Sequence, residues 1–250
     1  MRPVIGFAGN GHLQEHSFAA AHKKGFKCTK YIPGRTGDSV EDLRQCDIVY
    51  ICPDRPSNTS PEDMVDLVLP HLNPDAVLVI FCQVEPGFTR KVKWPQHQLY
   101  YQIETLRIKD AEERALRPER IIVGSYNGYI GHAKYLHFLE SFNCRIITMS
   151  YESAELAKIA INIYLASQVS TTNTLAEIAE KVGADWKEII SALQTDKRIG
   201  KEAYLEPGYG LSQHLMRDLE TIHKIGGNTD VTDSFLEHSE YRKALNGLDK

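Results

Sequence analysis

The sequence predicts an α/β protein in which a doubly wound parallel sheet is followed by an all-helical domain built on one long helix. Three observations predict it. Over the first ~145 residues, short apolar runs alternate with helix-length stretches, the pattern of parallel strands joined by crossover helices. The first apolar run passes directly into a glycine turn, GFAGNG, at 6–11. From 153 to 182 the chain runs without Pro or Gly, longer than an average globular helix and suited to joining two halves of a molecule.

Taken in order, strands are expected at 4–8, 27–32, 48–52, 77–81, 98–102, 121–124 and 145–149, most of them short apolar runs bounded by polar or turn residues. Helices are expected between them at 16–24, 39–45, 61–70 and 131–142, each of the size a βαβ unit needs. After the long helix come GAD at 183–185, a short helix WKEIISALQ, the loop DKRIG, the turn PGYG, a helix at 216–225 and a polar, loosely helical tail. The domain boundary falls near Ser150, giving 1–150 and 151–250.

The 250 residues are 42% hydrophobic and 25% charged, with a net charge of -4. No apolar run approaches a membrane span, and no basic block points to nucleic acid. The N-terminus reads MRPVIGFAGNG, with no longer apolar core and cleavage site, so a cytoplasmic protein is expected. Five cysteines, Cys28, Cys46, Cys52, Cys82 and Cys144, form no CxxC pair; reduced thiols are expected, with neither a disulfide framework nor a metal site. His12, His16, His22 and His97 lack metal-ligand spacing and read as loop and surface residues.

Between a strand and a helix, GFAGNG has the context of a dinucleotide fingerprint in a Rossmann-type sheet. Read as GxAxxG, Gly6 makes the tight turn, Ala8 lets backbone approach a pyrophosphate, and Gly11 allows close packing at the helix N-terminus. Gly9 and Asn10 lie inside the turn, and Pro53 follows the third strand; all are counted with the coenzyme site. The acid expected at the end of the second strand is missing. Arg35 follows instead, either as partner of a 2′-phosphate or as a solvated loop residue, which leaves NAD or NADP open.

The segment AELAKIAINIYLASQVSTTNTLAEIAEKVGAD, followed by DKRIG and PGYG, resembles the central part of the UDP-glucose/GDP-mannose dehydrogenase family. CDIVYICPDRP, VLVIFCQVEPGFTRKV, QIETL and PERIIVG fall in that family's order. The resemblance implies a Rossmann domain, a central helical domain that dimerises through its long helix, and a third domain that this chain ends too soon to contain. It implies that Lys158 and Asn162 assist alcohol oxidation; i and i+4 side chains share a helix face, so amine and amide converge on one oxygen. An exposed Lys158 is the bland alternative. Glu104, in QIETL, takes the place of a carboxylate that positions water, with its flanking residues changed.

The family's Gly-Gly-Ser-Cys-Phe-Pro-Lys-Asp pattern falls on PGYGLSQHLMRD, and so places Gly208, Gly210, Arg217 and Asp218 at the substrate. Counting back from Arg217 and Asp218 puts His214 where the nucleophilic Cys belongs; counting forward from Pro207 puts Gln213 there. Neither is a thiol, so the second oxidation, which needs a thiohemiacetal, is expected to be lost. His214 either handles a proton or only fills space. The function expected is an NAD(P)-dependent two-electron oxidoreductase resembling nucleotide-sugar dehydrogenases, a homodimer acting on a small molecule of nucleotide-sugar type. The rivals are a dehydrogenase of small hydroxy acids and a catalytically inactive nucleotide-binding relative.

Overall fold

The computed structural model describes residues 2–53, 59–103, 106, 108–208 and 210–245. The chain divides into two compact units, Met1–Lys158 and Ile159–Lys250.

Among the described residues, the first unit is an α/β sheet of seven strands: β1 (Val4–Gly9), β2 (Lys27–Tyr31), β3 (Ile48–Cys52), β4 (Val77–Ile80), β5 (Leu99–Gln102), β6 (Arg120–Ser125) and β7 (Arg145–Ser150). Their order is β2-β1-β3-β4-β5-β6-β7. β3 and β4 are buried along their whole length, as expected of strands covered on both faces by crossover helices. The helices are α1 (Gly11–Lys23), α2 (Pro61–Val68), α3 (Phe88–Lys91), α4 (Ala111–Leu116) and α5 (Ala133–Glu140). The chain leaves β1 toward β2 on one side and returns to β3 on the other, so the ends of β1 and β3 form the switch point where such sheets bind ligands.

Several elements differ from expectation. The sheet is not wholly parallel: β5 and β6 pair antiparallel, with Tyr101 opposite Gly124. The connection bearing α4 starts β6 at the end where β5 stops, so no crossover back is needed. The helix expected at 39–45 is a 3-10 turn, Val40–Gln45, and α1 starts at Gly11 rather than at 16. α2 is defined by a capping box in which Ser60 and Asp63 bond each other's backbone, with Pro61 in the first turn.

The core of this unit gathers Ile5, Phe7, Ile48, Tyr50, Val79, Tyr100 and Phe138. Phe7 stacks on Tyr50 at 5.2 Å, and the hydroxyls of Tyr50 and Tyr135 both donate to Gln102 Oε1 at 3.0 Å. Tyr50 and Tyr135 are therefore buried with their polar tips satisfied.

α6 (Tyr151–Val182) follows β7 directly, and its first two turns belong to the first unit. Tyr151 donates its hydroxyl to Leu99 O at 2.7 Å, and the buried Glu155 carboxylate accepts from the N–H groups of Gly87 (2.5 Å) and Thr89 (2.8 Å). A side chain on Gly124 would meet Ala154 Cβ at 2.8 Å, so β6 and α6 approach closely because Gly124 has none.

The second unit holds the rest of α6 with α7 (Trp186–Thr195), α8 (Gln213–Ile225) and α9 (Asp230–Leu245). α6 ends at a left-handed Gly183 (φ 76°), and α7 starts on Asp185, whose carboxylate accepts from Lys187 N. α8 begins at Gln213 rather than 216, because Ser212 caps it by accepting from Leu215 N. The tail expected to be loosely helical contains α9, a regular 16-residue helix. Ala166, Leu211, Leu215 and Leu219 form this unit's core, with Phe235 and Leu236 packed on it. Among the described residues no helix is long and apolar enough to cross a membrane.

Candidate functional site

The first candidate region is the turn from β1 into α1. Gly6 lies inside β1, not at the turn; a side chain there would meet Cys46 Sγ and Leu43 Cδ2 at 3.0 Å. Its role is packing, which corrects the tight-turn role expected of it. Ala8 is likewise a fully buried strand residue rather than a point of backbone approach. The turn is made by Gly9, Asn10 and Gly11. At Gly9 a side chain would strike Cys52 O at 2.1 Å and lie 2.9 Å from the nitrogen of the buried Pro53; Gly11 is left-handed with φ 75°. The fingerprint is therefore Gly9-x-Gly11-x-x-Gln14, one frame later than GxAxxG, with Gln where the third glycine belongs.

Gln14 is fully buried. Its Nε2 donates to Phe7 O at 2.9 Å and to Tyr31 O at 3.0 Å, tying the ends of β1 and β2 together. Carbonyls only accept, so the amide's orientation follows from its partners. Gln14 Oε1 and His12 Nε2 are buried without a hydrogen-bond partner among the described residues. Asn10's side chain does not cap α1, and the first turn carries no acid. An anion is the natural complement of such a helix start. His12 and His16 are helical, with ring centroids 4.6 Å apart, and His22 lies in the last turn of α1, a correction of the loop placement expected for them.

The turn after β2 carries Arg35, which is exposed. No carboxylate follows Tyr31; Asp38, farther along, accepts from Ile32 N at 3.0 Å.

The second candidate region lies on α6 and α8. Lys158 and Asn162 stand one turn apart on α6, each 9% exposed, so Lys158 is a buried lysine and not an exposed one. Asn162 Nδ2 donates to Asp218 Oδ2 at 2.6 Å, and Asp218 is fully buried. Arg217 approaches the other carboxylate oxygen of Asp218 at 3.5 Å. A buried carboxylate persists only when hydrogen-bonded or paired, and Asp218 is both. One turn before Asp218 on α8 stands His214, exposed like Gln213 beside it. The structure brings Asn162, Asp218 and Arg217 together.

The loop carrying Gly208 and Gly210 is pinned by α6 and α9. Gly208 N donates to Asn173 Oδ1 at 2.8 Å, and Gly208 O accepts from Arg242 Nη2 at 2.7 Å. A side chain on Gly210 would meet Ser239 Oγ at 2.7 Å and Ser239 O at 2.8 Å. Contact with α9 thus accounts for that glycine. Glu104 lies outside the described residues. All five cysteines precede residue 145. Burial pushes the Cys28 thiol up to about 12 and Cys46 to about 11, which makes both poor nucleophiles. Among the described residues no group of His, Cys, Asp and Glu has the arrangement of a metal site.

Residues 152–241 match the model of the UDP-glucose/GDP-mannose dehydrogenase family, central domain. The chain is 28% identical over 214 residues to UDP-glucose 6-dehydrogenase of Rickettsia bellii, a match covering 79% of this chain and 49% of that protein. Residues 152–241 carry the central domain of the UDP-glucose/GDP-mannose dehydrogenase family. The chain spans about half the length of the curated relatives it matches. The fold is shared with the UDP-D-ManNAc dehydrogenase of Pyrococcus horikoshii at a TM-score of 0.80 and 18% identity, covering 97% of this chain and 69% of that one. It is shared too with Mycobacterium tuberculosis 3-hydroxyisobutyrate dehydrogenase, at a TM-score of 0.71 and 16% identity, covering 96% and 94%. Gln14 is marked in the sequence only by its place five residues after Gly9, and Glu155 only by preceding Lys158 by one helical turn.

Proposed function

We infer that this chain is an NAD(P)-dependent oxidoreductase of the nucleotide-sugar dehydrogenase kind, limited to one two-electron interconversion of alcohol and carbonyl. The observation that carries this reading is the buried bond from Asn162 to Asp218, one turn along α6 from the buried Lys158. Polar groups held out of water are costly unless hydrogen-bonded, and such clusters concentrate at functional sites. Asp218 fixes the Asn162 amide, which donates to the substrate oxygen, while the Lys158 amine takes or returns the alcohol proton. A nicotinamide coenzyme supplies the hydride acceptor. The Gly9–Gly11 turn and the start of α1 hold its phosphates, with Pro53 beside them.

A family member that makes an acid needs a thiol to trap the aldehyde, and neither Gln213 nor His214 provides one. The reaction therefore stops at the carbonyl. We assign residues 1–150 to coenzyme and 151–250 to substrate and dimerisation. α6 leaves Tyr164 75%, Val182 72% and Ile178 48% exposed, an apolar face fit to meet its copy in a homodimer. A second reading, a dehydrogenase of small hydroxy acids, is favoured by the same missing thiol, since a single two-electron step needs none.

Thermal unfolding with NAD, NADH, NADP and NADPH, one at a time, tests the reading. A coenzyme at about 100 times its dissociation constant stabilises by about 2.7 kcal/mol, which raises the midpoint by roughly 5–10 °C. No shift with any of them would replace this reading with the inactive relative.

A further inference from the structure

The turn that follows β2 is built to read one part of the coenzyme. In the dinucleotide fold, the residue after this strand is a carboxylate that accepts from the ribose 2′-hydroxyl and repels a phosphate there. Here Ile32 holds that place and has nothing to accept with. Asp38 is the sole carboxylate between 32 and 38, and its Oδ2 accepts from Ile32 N at 3.0 Å. Its task is to close the turn.

Two further bonds set the position of Arg35. Its N–H donates to Ile32 O at 3.1 Å, and its carbonyl accepts from Asp38 N at 3.3 Å. The first of these draws Arg35 Cα to within about 7 Å of Ile32 Cα. Gly34 (φ 75°) and Gly37 (φ 91°) supply the left-handed backbone, and a side chain on either would meet nothing within 4 Å. The space around the turn is open. Arg35 and Thr36 are exposed, and the Arg35 guanidinium has no partner among the described residues. Beneath the strand end lies Gln14, neutral and bonded to Tyr31 O, where a charged floor would favour one coenzyme or repel the other.

We propose that Arg35, with the Thr36 hydroxyl beside it, takes the 2′-phosphate of NADP(H), so that this chain prefers the phosphorylated coenzyme. The inference rests on the reading of the first unit as a coenzyme domain. Guanidinium against phosphate forms charge-assisted, forked hydrogen bonds, which NADH cannot supply.

The test is titration calorimetry of the full chain with NADPH, NADH, 2′,5′-ADP and 5′-AMP. NADPH is expected to bind roughly tenfold or more tightly than NADH, and 2′,5′-ADP more tightly than 5′-AMP by a similar factor. Arg35→Ala, at an exposed position, is expected to lower NADPH affinity to the level of NADH while leaving NADH unchanged. Equal or tighter binding of NADH, or an equal effect of Arg35→Ala on both, overturns the proposal while leaving the coenzyme domain standing. If neither nucleotide binds, the coenzyme domain itself falls, and this proposal with it.

Discussion

Gln14→Leu removes an amide that donates to two backbone carbonyls and substitutes an apolar side chain of similar size. Phe7 O and Tyr31 O are then left in a buried place without those donors, at about 1–3 kcal/mol each. The variant also removes Gln14 Oε1, a buried acceptor with no partner among the described residues, which returns about 1–3 kcal/mol. The net loss is about 2 kcal/mol, a fall of roughly 4–8 °C in melting temperature at this chain length. Gln14→Glu sharpens the test. Its carboxylate faces two carbonyl oxygens and has no proton to give, whereas the protonated acid donates to one of them. Urea unfolding from pH 4 to pH 8 should therefore show a Glu variant whose deficit grows as pH rises, beside a Leu variant whose deficit stays flat. A Leu variant within about 0.5 kcal/mol of the parent, the scatter of an ordinary surface change, would refute the role given to Gln14.

Other perturbations read the remaining contacts. Asn162→Ala leaves the Asp218 carboxylate without its 2.6 Å donor and should cost about 2 kcal/mol; a double-mutant cycle with Asp218→Ala by urea unfolding should return a coupling of at least about 1 kcal/mol. Burial raises the Glu155 carboxyl above its ordinary 4.5, against the opposing pull of the Thr89 and Gly87 N–H groups. A carboxyl with a raised folded pKa stabilises fully below the unfolded value and loses that contribution as pH rises through the folded one. The stability of the parent minus that of Glu155→Gln should thus decline as pH climbs from about 4.5, and a flat difference would contradict the assignment. Gly210→Ala forces a methyl against Ser239 Oγ and Ser239 O and should lower stability to urea unfolding by about 1–3 kcal/mol; Ser239→Ala should not rescue it, because the carbonyl stays.

Most strands were readable because they are compact apolar runs between turn residues, and buried strands such as β3 and β4 are nearly pure Val, Ile, Leu and aromatic, whereas β2, KCTKY, is not. The direction of β6 was not, since a four-residue β5 such as LYYQ bears no trace of whether its neighbour is parallel. The glycine turn after β1 is legible in the sequence, but the frame in which its glycines are used is not. Glycines at 6, 9 and 11 allow two frames, and Gln14 hides the correct one, because its function depends on carbonyls of β1 and β2 that no local pattern reveals. That Lys158 and Asn162 stand one turn apart on one helix was legible from their spacing. The bond from Asn162 to Asp218 was not, because 56 residues separate the two. α9 was hard to read because the few apolar residues it packs inward, Phe235 and Leu236, sit in a mostly polar helix whose Ser239 and Arg242 hold the 208–211 loop through contacts distant in sequence.

The most direct test of the central claim is the stoichiometry of reduced coenzyme formed per UDP-glucose or GDP-mannose consumed, with the product trapped by a carbonyl reagent. One equivalent, with a trapped aldehyde, is the outcome the proposed function predicts, in which Lys158 and Asn162 serve a single hydride step and neither Gln213 nor His214 offers a thiol to hold the product for another. Two equivalents with a carboxylate product would contradict the account, and so would turnover of a small hydroxy acid with none of either nucleotide sugar.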